Sequence, residues 1–497
     1  MTIEVREFDV IVVGHGIAGM SAAVSAMESG AKVAVLERAP FREYGGNTRY
    51  TEAFLRLKNE NTLFDDFESL LAEVGSANPD PELVHTTTLP YEQWPGIVRA
   101  NDVTDADLIQ TFAHSVVPTI DWLKTFGIKF IPAYLAHVTC REDPPLLAPS
   151  GGGIAMIEAL RTACEEADVE IFYETTARRL IQDDADTVVG VRTVSQQNKR
   201  IDFMGRAVVL ACGGFEGNRE MLQRYMGASA INTRPVARGG NYNKGEGIRM
   251  ALDIGAAPAG DYGGYHANPV DLRSGQPEAK VLIFPFGVLV NKKGQRFTDE
   301  GPGADHRIYD RVCHEIQVQP QGQAFLIMDD RINDIEEYTQ SIFTDQPPIE
   351  AQSFDEIAEK LSLPVDSLKK TMADYNAACR NGSFEPTHED GLATDGVVPP
   401  KSNWARPVDQ PPFLCYPLIS APILTFGGIK VNTKAQVVNT DGEIIPGLYA
   451  AGEVIGLYYR QYAAATSVLR GMVFGRISGM DAAQIQVPQS ISIEKKG

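Results

Sequence analysis

The segment Gly14-His15-Gly16-Ile17-Ala18-Gly19 spaces three glycines so that a backbone can wrap around a pyrophosphate. Gly14 permits a tight turn, Gly16 lets the main chain approach the phosphates, and Gly19 lets a following helix press against its strand. Ile17 and Ala18 would begin that helix and present amide donors at the positive end of its dipole. About twenty residues on, Glu37 closes a second apolar run, where a carboxylate accepts hydrogen bonds from ribose hydroxyls. These residue types at these spacings predict a bound dinucleotide. The motif alone does not distinguish NAD from FAD.

Such a motif works only at the end of a strand, and the flanking pattern supplies one. FDVIVV (8–13) is a continuous apolar run, the glycine segment continues with small and apolar residues at helical spacing, and AKVAVLE (31–37) restarts a strand. Two more buried-strand runs, RAVVLAC (206–212) before Gly213-Gly214 and GLYAA (447–451) before Gly452-Glu453, would deliver their ends to the same ligand. From 232 to 405 the texture changes to loops, turns and short strands mixed with helices, including a helical stretch over 353–379. After Pro411-Pro412 strand and turn patterns return, and 466–480 reads as a small-residue helix. The expected architecture is α/β: a Rossmann-like nucleotide-binding domain formed by 1–231 and 406–497, with an inserted α+β substrate (capping) domain over 232–405.

The chain has 497 residues, enough for two or more domains, with 43% hydrophobic and 22% charged residues and no tract biased towards disorder. Lys plus Arg number 45 against 65 Asp plus Glu, a net charge of −20, which has the wrong sign for non-specific binding of nucleic acid or anionic lipid. An anionic substrate would have to meet a local cationic pocket. The acidic start MTIEVREFDV does not read as a signal peptide, and apolar runs such as 281–290 are too short to span a bilayer, so a cytoplasmic protein is expected. Six scattered cysteines without a CxxC pair or a Cys/His cluster predict reduced thiols, no zinc and no iron–sulfur cluster.

Beyond Glu37 the sequence continues through Arg38-Ala39-Pro40 to Gly45-Gly46-Asn47-Thr48-Arg49. Here it resembles the flavoprotein family of fumarate reductase and succinate dehydrogenase, in which a GGN/S-T/S segment runs beside the flavin. The resemblance continues through Ser150-Gly151-Gly152-Gly153, Ala211-Cys212-Gly213-Gly214-Phe215, Gly245-Glu246-Gly247-Ile248, Val290-Asn291, Thr425 to Gly428 and Pro446 to Glu453. It implies FAD as cofactor, held by the glycine turn and Glu37 together with Arg38, Gly45, Gly46, Asn47, Thr48, Gly152, Gly153, Ala211, Gly213, Gly214, Gly452, Glu453, Thr466, Ser467 and Val468. Covalently flavinylated members carry a histidine in the GG segment. Asn47-Thr48 stand there in this chain, which implies non-covalent FAD. Only one GxGxxG lies in strand–helix context, so no separate NAD(P)H site is expected and electrons must leave to another acceptor.

Fumarate reductases of this family bind a dicarboxylate with two histidines and an arginine and protonate it with a further arginine. His266 stands where the first histidine is expected, but Ile283 to Gly287, Ile423-Leu424 and the loop Tyr458 to Ala463 lack the other residues. The tricarballylate dehydrogenase branch is more similar: CGGFEGNRE (212–220), Arg238-Gly239 before Asn243, Asp374-Tyr375-Asn376, Trp404-Ala405-Arg406-Pro407 and Ile423 to Gly428 all match its pattern. The last loop also resembles that of 3-ketosteroid 1-dehydrogenases, where a tyrosine beside the flavin helps to remove a proton, a place Tyr462 would take. The resemblance therefore implies a dehydrogenase that desaturates a carbon–carbon bond next to a carboxylate or carbonyl. Its substrate would be a small polycarboxylate, with an enone-forming ketosteroid or an unsaturated acid reduced in the fumarate manner as alternatives. Tyr462 would be the base with His266 second, and Arg238 and Arg460 would hold carboxylates. The tricarballylate branch further implies a membrane-bound electron-transfer partner and peripheral association at the inner membrane. A flavin monooxygenase and a flavin-binding assembly or sensing subunit are the rival readings.

Overall fold

The computed structural model describes residues 3–74, 86, 89–96, 105–135, 137–141, 143–459 and 461–485. At its centre is a six-stranded sheet in the order Gln436–Val438, Ile444–Ala450, Ala207–Leu210, Val10–Val13, Val33–Leu36, Glu170–Phe172. All neighbours run parallel except the edge pair Gln436–Val438 with Ile444–Ala450. Val10–Val13 and Val33–Leu36 are buried along their whole length, as expected of parallel strands covered on both faces. All four apolar runs that the sequence pattern marks as strands lie side by side in this sheet, so their C-terminal ends converge on one edge. A second sheet of four strands (Glu4–Glu7, Arg200–Met204, Val188–Ser195, Thr175–Gln182) completes the domain.

Two helices bring their N-termini to that edge. Ile17–Glu28 follows the glycine turn, and Ser467–Ala483 packs along it. Gly471, Gly475 and Gly479 recur every fourth residue on the facing stripe of the second helix. A Cβ at Gly475 would collide with the carbonyl oxygen of Ala18, and one at Gly479 with that of Ala22. The backbones therefore touch, which explains the small-residue composition of this helix.

The inserted region forms an antiparallel sheet in the order Tyr265–Asp271, Phe413–Thr425, Gln323–Met328, Val288–Asn291, with Ile349–Ala351 added against Phe413–Thr425. Alternate residues of its strands face two cores. Leu289, Leu326 and Met328 pack with Ile308, Val312 and Ile316 of helix Asp305–Gln317. Val288, Val290, Phe325 and Ile327 pack with Ile357, Leu361, Leu368 and Met372 of helices Phe354–Leu361 and Val365–Ala378. One boundary read from the sequence changes: Phe413–Thr425, placed with the nucleotide-binding part because it follows 405, is the central strand of the inserted sheet. Its apolar run reads the same in either sheet, and only the long-range pairing decides.

Candidate active site

A cleft opens between the converging strand ends and the inserted sheet. It is lined by Gly14, His15, Gly16, Ile17 and Ala18 of the glycine turn, by Glu37, Arg38 and Ala39, by Gly46, Asn47 and Thr48, and by Ala211, Cys212 and Gly213. Thr175 to Ala177, Gly452, Glu453, Ser467, Val468, Arg470 and Gly471 continue the wall. Val236, Ala237, Glu278, Ile423 and Leu424 of the inserted region close the far end. The donor set fits a dinucleotide. The helix Ile17–Glu28 starts at Gly16 with no acidic residue in its first turn, and its first amide, Ile17 N–H, donates to the Thr48 hydroxyl at 3.2 Å, which ties the Gly46 to Thr48 segment to the helix start. His15, which the sequence reading left without a role, lines the cleft with both ring nitrogens buried and unpartnered, and burial lowers its pKa to about 4. Glu37 takes the amides of His15 (3.0 Å) and Ala39 (2.6 Å), and burial lifts its pKa to about 7 against those bonds.

Several residues expected to touch the cofactor act from behind the wall. Gly19 packs on Gly14, where a Cβ would strike the Gly14 carbonyl. Gly153 leaves no room for a Cβ against the carbonyl of Thr48, and its amide donates to Thr51 O (2.9 Å); with Gly152 it props up the segment that lines the cleft. Gly45 turns the chain at φ 103°, and Gly214 packs against the Glu453 carboxylate and the Thr425 hydroxyl. Thr466 is buried and bonds Tyr458 Oη at 2.7 Å. Arg38 pairs with Glu246, which also lines the cleft. The Cys212 thiol is pushed up to about 12 by burial and stays protonated.

At the inserted end Asn47 donates to Glu216 Oε1 (2.6 Å) and to Ile423 O (2.8 Å), leaving its own oxygen without a partner. Burial, and then the nearby charge of Glu453, raise the Glu216 pKa well above the usual carboxylate range. Glu453 accepts the Thr425 amide at 2.7 Å and its hydroxyl at 3.1 Å. Glu278 is joined to Lys280 (2.9 Å), which also reaches Glu52 (3.4 Å) across the seam between the two regions.

His266 and Tyr462 stand against each other just beyond this end, ring centroids 4.2 Å apart. Neither ring forms the cleft wall itself. His266 is paired across the strands with Leu424, and the Tyr462 hydroxyl donates to Ser467 Oγ (2.9 Å) and accepts the Ser467 amide (3.1 Å). That hydroxyl caps the helix Ser467–Ala483. Burial raises the Tyr462 pKa, opposed by its bonds to Ser467, so it is a neutral phenol with its oxygen engaged. His266 Nδ1 lies 2.8 and 2.9 Å from the two oxygens of Asp310, one of which also accepts the Ala267 amide at 2.8 Å. The sequence reading did not include Asp310. It sits on a helix 44 residues downstream and belongs to no local motif.

Of the two expected carboxylate-binding arginines, the described one, Arg238, does not stand beside this pair. Arg460 lies outside the described residues. Arg238 is exposed and lines a neighbouring groove of about 630 Å³ with Arg42, Arg49, Glu43, Tyr50 and Gln276. Groove and cleft share their walls: Gly46 to Thr48 face the cleft and Arg49-Tyr50 the groove, Val236-Ala237 the cleft and Arg238 the groove. The buried cation on the cleft is instead Arg470. Among the described residues no group of three His, Cys, Asp or Glu side chains could hold a metal ion.

The family profile described as the FAD binding domain matches residues 9–468. The NADH:acrylate oxidoreductase of Vibrio harveyi is 28% identical over 96% of this chain and 50% of its own length. The NADH:fumarate oxidoreductase of Klebsiella pneumoniae (strain 342) is 25% identical over 96% of this chain and 48% of its own. The chain thus spans about half the length of these two relatives. Among solved structures, the open conformation of a flavocytochrome c3 fumarate reductase superposes with a TM-score of 0.72 at 24% identity, covering 96% of this chain and 78% of that one.

Proposed function

The chain belongs to the FAD binding domain family, among the flavoproteins of the fumarate reductase and succinate dehydrogenase type, and its cofactor is FAD; from that premise we propose that it desaturates a small polycarboxylate of the tricarballylate class next to a carboxylate. The observation that carries this reading is the Asp310–His266 pair just beyond the inserted end of the cleft, across the strands from the cleft-lining Leu424. Bound FAD supplies the hydride acceptor. Asp310 accepts the Nδ1 proton and fixes the tautomer of His266, leaving Nε2 as the ring's proton acceptor. His266 Nε2 takes the α proton, a role that the resemblance had given first to Tyr462. Tyr462 keeps the helix start and the His266 ring in place.

The rim of the cleft supports a polyanionic substrate. On a chain of net charge −20, Arg42, Arg49 and Arg238 meet in one groove, and Arg238 makes no ion pair among the described residues. Guanidinium forks there match carboxylates that project from the cleft. FAD is held without a covalent link, by the glycine turn, Glu37 and the segment Gly46 to Thr48. Electrons pass to a separate acceptor, for which a membrane-bound electron-transfer protein is our reading, with the enzyme cytoplasmic and peripheral. No helix among the described residues is long and apolar enough to cross a membrane.

A ketosteroid is the second reading, favoured by the aromatic surroundings of the pair: Tyr309 lies 5.4 Å from His266, Tyr458 5.4 Å from Tyr462, and Phe426 5.7 Å from Tyr458. Dye-linked turnover of Arg238→Ala separates the two. The Michaelis constant for tricarballylate should rise about tenfold or more, the usual loss for a charged hydrogen bond. Turnover of a neutral 3-ketosteroid, with no response to Arg238→Ala and none of tricarballylate, would favour the steroid.

A further inference from the structure

Arg470 is the fourth residue of the helix Ser467–Ala483 and is 1% exposed. Its Nη1 donates to the carbonyl of Ile455 at 3.0 Å, and its guanidinium lies 4.6 Å from the centre of the Tyr458 ring. Its Nε is buried without a partner. Among the described residues it forms no ion pair, although it lines the cleft. No carboxylate lies within ion-pair distance of this buried cation among the described residues, and the one that it acts on electrostatically, Glu453, has its own pKa raised by burial, so the site can take a further negative charge.

The cleft has two ends. Glu37 and the glycine turn mark the ribose and pyrophosphate end. The guanidinium of Arg470 instead reaches Ile455 and Tyr458, and Tyr458 packs edge-on against Tyr462 at 5.4 Å, beside His266. Its charge acts on Tyr462 and on Glu453. Arg470 thus serves the redox end.

We propose that Arg470 supplies the counter-charge for the reduced flavin. In the oxidation the C–H bond at the β carbon breaks and its hydride joins the neutral ring, which becomes a monoanion. The α C–H bond breaks to give its proton to His266, and the carbon–carbon double bond forms. Arg470 makes and breaks no bond; it neutralises the ring charge. The inference requires bound FAD, not any particular substrate.

Sulfite tests it without turnover, because sulfite adds to the oxidised ring through a new N–S bond and leaves it anionic. In the purified holoenzyme, Arg470→Gln should weaken sulfite binding by about tenfold or more and lower the two-electron midpoint potential by about 30 mV, the equivalent of tenfold. Arg470→Lys, which keeps the charge, should stay within about threefold of wild type. The proposal is overturned if Arg470→Gln matches wild type in both measurements, or if Arg470→Lys loses as much as Arg470→Gln. If Arg470→Gln and Arg470→Met both fail to retain FAD while Arg470→Lys retains it, the charge belongs to the resting cofactor and the proposal is likewise overturned.

Discussion

Asp310 grips Nδ1 of His266 with both carboxylate oxygens, at 2.8 and 2.9 Å, while the backbone amide of Ala267 holds one of those oxygens in turn. The grip joins the helix Asp305–Gln317 to the strand Tyr265–Asp271 at the point where that strand meets the FAD-binding region. It gives the imidazole one orientation and one tautomer, as the proton-acceptor role proposed for it requires.

Removing the base and removing its holder should therefore differ in degree. His266→Gln should lower turnover by about 10²-fold or more, the usual size of a general-base contribution. Asp310→Asn should cost about tenfold, with FAD content and the Michaelis constant little changed, and Asp310→Glu should restore part of the loss. A rise in the Michaelis constant with unchanged turnover would place Asp310 in substrate binding instead.

Tyr462→Phe should act mainly on the helix. The hydroxyl that caps Ser467 disappears, at a cost of about 1 kcal/mol, and the temperature at which the enzyme releases its FAD should fall. Turnover should fall far less than in His266→Gln. A loss as deep as that of His266→Gln would return the role of base to Tyr462.

Glu37 couples FAD binding to pH. Its carboxyl is lifted from 4.5 to about 7 by burial. As pH rises between these values, the unfolded chain gives up this proton while the folded apoprotein keeps it, so the contribution of Glu37 to apoprotein stability declines across that window. FAD binding has the opposite sign. Ribose hydroxyls donate to the ionised form, so affinity should fall by up to about tenfold per unit as pH drops below 7. Fluorescence titration of apoprotein from pH 5 to 8 measures this, and Glu37→Gln should flatten the curve.

The close helix crossing gives a steric test. Gly475→Val would drive a side chain into the Ala18 carbonyl and should destabilise the domain by roughly 1–3 kcal/mol, seen as earlier thermal release of FAD. Gly96→Ala, which meets open space, should leave that temperature unchanged.

What the sequence made legible was what lies close along the chain. The glycine turn, Glu37 and the strand before each of them form one local unit, and Gly46, Asn47 and Thr48 follow within a few residues. Gly152 and Gly153 pack against Thr51 and Thr48, and in the sequence a glycine needed for close backbone approach looks the same whether the neighbour is a cofactor or Thr48. Asp310, Arg470 and Glu216 were not legible. The partners of Asp310 and Glu216 lie far away in the chain, at His266 and, 169 residues off, at Asn47, and Arg470 meets Ile455 only through the fold of the last loop. Arg238 lies one residue after Ala237, where the chain turns from cleft to groove, a change of wall that no local pattern announces.

The most direct measurement is an anaerobic half-reaction. Holoenzyme is mixed with tricarballylate in the absence of any acceptor, the visible flavin band is followed, and the acid products are identified. The flavin should bleach in a single turnover with one unsaturated acid formed per FAD, and His266→Gln should slow the bleaching by about 10²-fold or more. If dithionite bleaches the flavin but neither tricarballylate nor any other saturated carboxylate does, desaturation of a carboxylic acid is not the function of this site.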